Sequence, residues 1–129
     1  MLGTSYKVLG VKRGRKSKIR RVTHMYDMAN IKKLKLLGEG APAAWEGFAA
    51  FDKAAMADGA VPKKYKELIA LGVALTTQCP YCLEIHRKAA EAAGATQQEI
   101  AETAMVAAAL RAGAAVTHAT HLLGGETGQ

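Results

Sequence analysis

The chain carries three prolines, Pro42, Pro62 and Pro80, and each stands ahead of a stretch whose apolar residues recur with helical spacing. Proline fixes φ near the helical value and lacks the N–H that a first helical turn leaves unpaired, so it fits a helix start and disrupts a helix interior. Three helices must therefore begin close to these positions. After Pro42, Ala44, Trp45, Phe48, Phe51 and Ala55 fall on one face before Gly59 stops the run. Pro62 opens a second helix, with Leu68, Leu71 and Leu75 on its apolar side up to Thr76 and Thr77, and Pro80 opens a third that reaches Ala93 and ends at Gly94. Thr96 and Glu99 form a T-x-x-E capping box for a fourth, running through Met105 and Leu110 towards Gly113. Residues 114–123 either continue it with a kink or form a short fifth helix.

No stretch alternates with the period of two that a half-buried strand needs, so the fold class is all-α. Short connections make it a compact antiparallel helical domain. The chain has 129 residues, half of them hydrophobic and 5% aromatic, which suits one domain and not two. Large side chains are few, the core is thin, and oligomerisation is expected. The many alanines permit close helix approach, although alanine is also the best helix former. No run approaches 18 uninterrupted apolar residues, which argues against a membrane-spanning helix, and a cytoplasmic location is expected.

The net charge of +7 is unevenly placed. Residues 1–26 hold eight bases and no acid, whereas the remaining ten bases face eleven acids. A nucleic-acid arm finds little support, because Tyr6 and Tyr26 are its only aromatics and no recognition motif follows. A secretory signal would place its charge before the apolar stretch, the reverse of the order here. A transit peptide is a third reading. The fourth, favoured by composition, is a disordered or spurious extension over residues 1–27, with the helical domain occupying residues 28–129.

The chemistry concentrates in Cys79-Pro80-Tyr81-Cys82-Leu83-Glu84-Ile85-His86, which contains both cysteines. A helix N-terminus favours an anion, so a thiolate is stabilised there. His86 follows Cys82 by four residues and lies on the same helical face, where an imidazole can take or return a proton. Glu67 falls on a stripe with Ala70, Leu71 and Ala74, an awkward place for an unpaired charge. If the second and third helices form a hairpin, Glu67 comes to about the level of His86 and can orient its ring. Blander readings compete: a satisfied core histidine, Glu67 paired with Lys63 or Lys64, and a zinc site completed from His86, His118 and His121. The zinc spacing fits poorly, and His118 and His121 are expected to meet a helix dipole or a subunit contact.

Glu67, twelve residues before the Cys79-x-x-Cys82 pair, with His86 on the next turn, resembles the signature of the alkyl hydroperoxidase D and carboxymuconolactone decarboxylase family. The likeness spans about residues 28–129. It implies an all-helical domain assembled as homotrimers or homohexamers, thiol-dependent peroxidase activity and no cofactor or bound metal. It further implies a lipoylated or thioredoxin-like dithiol protein as electron donor. One departure is Tyr81, since members closest to alkyl hydroperoxidase D carry a histidine between the cysteines.

The catalytic set expected is Cys82, Cys79, His86 and Glu67. His86, oriented by Glu67, deprotonates Cys82; the thiolate attacks a peroxide, and Cys79 resolves the sulfenic acid to a disulfide. The reverse order of cysteines is open, because the N-terminal cysteine of a C-x-x-C helix is often the more exposed attacker. Two other classes are also open: a cofactor-free decarboxylase of a small lactone or acid using His86 and Glu67 alone, and a non-catalytic metal-binding or assembly module.

Overall fold

The computed structural model describes residues 26–124. The basic run over residues 1–25, and with it most of the expected extension, lies outside the described residues. A 3-10 helix, Met28–Lys33, leads into α1 (Leu34–Gly40), α2 (Pro42–Met56), α3 (Lys63–Thr77), α4 (Pro80–Ala92) and α5 (Gln97–Ala119). Among the described residues there is no strand, as the sequence predicts. The helix starts at Pro42, Pro62 and Pro80 are realised, and the two possibilities for residues 114–123 resolve in favour of continuation: α5 runs through Gly113 to Ala119. The 3-10 helix and α1 have no proline or periodic signal, and the sequence reading contains neither.

Local chemistry explains where each helix begins and ends. The Asp27 carboxylate accepts from the Ala29 N–H at 2.9 Å and caps the 3-10 helix. The Asp58 carboxylate accepts from the Lys63 N–H at 2.7 Å, satisfying one of the donors that open α3. At α5 the capping box is complete: the Thr96 hydroxyl accepts from the Glu99 N–H at 3.1 Å, and the Glu99 carboxylate accepts from the Thr96 N–H at 2.8 Å. Gly94 adopts φ +86°, the left-handed conformation that lets the Ala95 N–H return to the Ala90 carbonyl and close α4.

Helices α3, α4 and α5 form the packed body. Leu68, Leu71, Ala74, Ala90 and Ala107 are its buried apolar residues, with Leu83, Ala95 and Ile100 packed against Leu68, Leu71 and Ala90. Fully burying a leucine is worth about 1.5–3 kcal/mol, so so short a list gives one chain a modest core. Two α3 lysines tie neighbours to it: Lys64 pairs with Glu99 of α5 at 2.7 Å, and the Lys66 ammonium donates to the Ala55 and Ala57 carbonyls at 2.8 and 2.6 Å, covering the end of α2.

Much apolar surface is left outside. The aromatic face expected to bury α2 is only partly covered, with Trp45 half-buried against Gly38 while Phe48 and Phe51 stay exposed. Ile69 and Val73 of α3 and Val106 and Leu110 of α5 are also exposed and line an open groove of about 570 Å³. The case against a membrane-spanning helix rested on uninterrupted apolar runs and does not hold for α5, which is long and apolar enough to cross a membrane by length and composition alone. Alanines raise its mean hydropathy despite the polar residues between them. The same helix carries the capping box and Glu102 and Arg111.

Candidate active site

The turn between α3 and α4 is two residues long, and its brevity makes the hairpin. Gln78 takes the left-handed conformation, φ 55° and ψ 45°, and the Cys79 N–H returns to the Ala74 carbonyl at 3.1 Å. Cys79 is thereby set as the N-cap of α4, with its sulfur 3.2 Å from the Cys82 N–H. Cys82 sits one turn inside. The two sulfurs are joined in a disulfide, with the Cα atoms 5.4 Å apart.

The same antiparallel pairing brings Glu67 of α3 to His86 of α4. Glu67 is 3% exposed, and its Oε2 lies 2.8 Å from His86 Nδ1, while Oε1 lies 3.6 Å from the Lys63 ammonium. The carboxylate expected to need a partner on that stripe has two. With Nδ1 turned to Glu67, the other ring nitrogen of His86 is the one left for chemistry. Cys82 and His86 both line a cavity of about 400 Å³, walled by Ala55, Met56 and Val61 on one side and Ile69, Ala70 and Val73 on the other, with Ala74, Thr77 and Lys66 completing it. Cys79 is absent from that lining.

All four residues named from the sequence therefore lie along the α3–α4 hairpin. Glu84, Arg87, Lys88 and Glu91 occupy the outer side of α4 in mutual ion pairs. Lys88 and then Arg87 hold the Glu84 carboxyl below its ordinary value. The sequence reading missed the N-terminal contribution: Asn30 Nδ2 donates to the Tyr81 hydroxyl at 3.4 Å, and the Tyr26 ring meets the Tyr81 ring edge-on with centroids 6.0 Å apart. Tyr81, one of the two residues between the cysteines, is thus contacted by the start of the described chain. Asn30 carried no periodic signal that could have revealed this. His118 and His121 lie at the far end of α5, their rings 5.9 Å apart, with His118 Nδ1 2.8 Å from the Ala114 carbonyl. They take no part in the site.

Comparison with known proteins places the fold in a family. The model of the carboxymuconolactone decarboxylase family matches residues 42–124, and the chain belongs to that family. It is 50% identical over 78 residues to an uncharacterised protein of the cox locus of Paracoccus denitrificans, covering 60% of this chain and 70% of the relative. An uncharacterised protein of Cupriavidus necator is 33% identical over 87 residues, covering 67% of this chain and 77% of the relative. Two solved structures share the fold at 34% identity. The crystal structure of an apo carboxymuconolactone decarboxylase family protein from Legionella pneumophila superposes with a TM-score of 0.61 over 64% of this chain and 73% of that one. The crystal structure of a Methanobacterium thermoautotrophicum protein gives 0.63 over 67% and 97%.

Proposed function

We propose that the protein is a thiol peroxidase that cycles the Cys79–Cys82 pair between dithiol and disulfide, reduced by an external dithiol donor. The observation that carries this reading is the meeting of Cys82 and His86 in one apolar cavity, with His86 held from behind by buried Glu67 and Cys79 bonded to Cys82.

In the reduced enzyme, His86 takes the Cys82 proton and Glu67 stabilises the resulting imidazolium. The Cys82 thiolate attacks the terminal peroxide oxygen, the O–O bond breaks, and His86 returns the proton to the departing alkoxide or hydroxide. The products are a Cys82 sulfenic acid and an alcohol or water. Cys79 then attacks the sulfenic sulfur, forming the disulfide and releasing water. A donor dithiol reduces the disulfide by exchange and becomes oxidised itself. The balance is one peroxide and one dithiol in, one alcohol or water, one further water and one donor disulfide out. Position supports this division of roles: Cys82 lines the cavity, whereas Cys79 caps α4, where a thiolate is stabilised as a leaving group during reduction. The apolar walls suit the hydrocarbon part of an organic hydroperoxide. The exposed apolar faces of α2, α3 and α5 suit burial between copies in a homotrimer or homohexamer, and a lipoylated or thioredoxin-like protein supplies the donor dithiol.

Single-turnover reduction of an organic hydroperoxide by the cysteine variants tests the reading. Cys79→Ser should give a fast sulfenic-acid signal and stop there, and Cys82→Ser should give none. A signal in Cys82→Ser alone reverses the order of attack. Silence in both removes the peroxidase, and acid–base turnover of a small lactone by a Cys79→Ser, Cys82→Ser double variant would replace it with the decarboxylase.

A further inference from the structure

We propose that Lys63 is a positioning residue of this site, whose ammonium neutralises Glu67 in the resting enzyme and so keeps the relay proton off His86. The inference rests on the reading of His86 as the base for Cys82.

The N-terminal turn of α3 is the first observation. A helix N-terminus disfavours cations, yet α3 opens with Lys63, Lys64 and Lys66 and no acid in its first turn. Each lysine has a defined partner that accounts for it. Lys64 reaches Glu99 on α5, Lys66 reaches the Ala55 and Ala57 carbonyls of the α2 end, and Lys63 reaches Glu67 one turn along its own helix.

The charge balance of Glu67 is the second. A carboxylate this buried requires a counter-charge. Its oxygens divide the work, Oε2 facing His86 Nδ1 and Oε1 facing the Lys63 ammonium. Once His86 has taken the Cys82 proton, the imidazolium supplies that counter-charge. Before proton transfer His86 must be neutral to act as a base, and Lys63 is then the cation in ion-pair contact with Glu67 among the described residues. Without Lys63, the carboxylate attracts a proton to His86 more strongly, and the fraction of His86 already protonated cannot accept another.

The surrounding charged groups are otherwise engaged. On α3, Lys66 lines the same cavity but gives its ammonium to two carbonyls; on α4, Glu84, Arg87, Lys88 and Glu91 pair with one another, with Cys82 the remaining titratable neighbour. On α5, Glu99 is held by Lys64, and α2 contributes only Ala55 and Met56 to the cavity wall. The Lys63 side chain is 51% exposed, so its effect is moderate and weakened by salt.

The test is an NMR pH titration of the His86 ring in the reduced full-length chain, assigned by its loss in His86→Gln. Lys63→Met should raise the proton affinity of His86 about two- to five-fold, the scale of a half-exposed ion pair. Lys63→Arg should restore the wild-type curve, and high salt should narrow the difference. Lys63→Gln gives the same reading if Lys63→Met does not fold. Unchanged curves, or a shift to lower affinity, overturn the proposal whatever the activity. A shifted curve in a protein inert towards peroxides would sink the peroxidase reading and leave only the charge coupling of Lys63, Glu67 and His86 standing.

Discussion

Glu67 and His86 act as one unit if the carboxylate works only through the imidazole it holds at 2.8 Å. His86→Ala should lower peroxide turnover by about 10²- to 10⁴-fold, the range for a positioned acid–base group. Glu67→Gln should cost less, because a neutral amide still accepts a hydrogen bond from the ring but no longer stabilises its charged form. The double variant should be no slower than His86→Ala alone, since the carboxylate has nothing left to orient. Full multiplication of the two losses in kcat/KM would show that Glu67 acts independently. Both single variants should retain the far-ultraviolet spectrum of the wild type, which separates lost chemistry from lost fold.

Element-scale predictions fall on the α4–α5 junction, where two local devices meet. Thr96→Ala removes one half of the capping box and should cost about 1 kcal/mol in denaturant unfolding. Gly94→Ala meets no atom within 4 Å at its new Cβ but must hold φ +86°, so its cost of about 1 kcal/mol is purely conformational. Glu99 belongs to the same junction and titrates with it. The Lys64 ammonium, with the Thr96 N–H behind it, holds its carboxyl below the ordinary value of 4.5. A depressed value means that the folded state favours the carboxylate: the contribution is present above the unfolded value and fades as pH falls through the folded one. Wild type should therefore lose more stability than Glu99→Gln on acidification below about pH 4.5. Parallel melting curves for the two proteins across that window would contradict this.

Across the whole molecule, the core of one chain is thin and Phe48, Phe51, Val106 and Leu110 are exposed, so the proposed assembly would add the burial that a single chain lacks. Sedimentation should show a defined oligomer, and charged substitution of Val106 should dissociate it and lower its melting temperature. Deletion of residues 1–25 should leave assembly and peroxide turnover intact if this basic, acid-free stretch is the disordered or spurious extension that its composition suggests. Loss of turnover on that deletion would give the basic segment a role in the reaction.

The sequence by itself determined α2 to α5, because proline, the left-handed glycine and the capping box act over three or four residues and need no tertiary partner. Pro42, Pro62, Pro80, Gly94 and the Thr96–Glu99 pair all stand where local chemistry places them. It also determined the grouping of Cys79, Cys82 and His86, since one helix periodicity fixes all three, and it marked Glu67 through the cost of burying a charge. Only the tertiary structure decided that Glu67, whose local neighbour Lys63 the sequence already offers, also meets His86, that Cys82 and not Cys79 lines the cavity, and that Tyr26 and Asn30 reach Tyr81. Each of these depends on the register of one element against another, which no local spacing encodes. The exposed face of α2 follows the same logic: periodicity marked a face fit for burial, and the packing of this single chain left much of it uncovered.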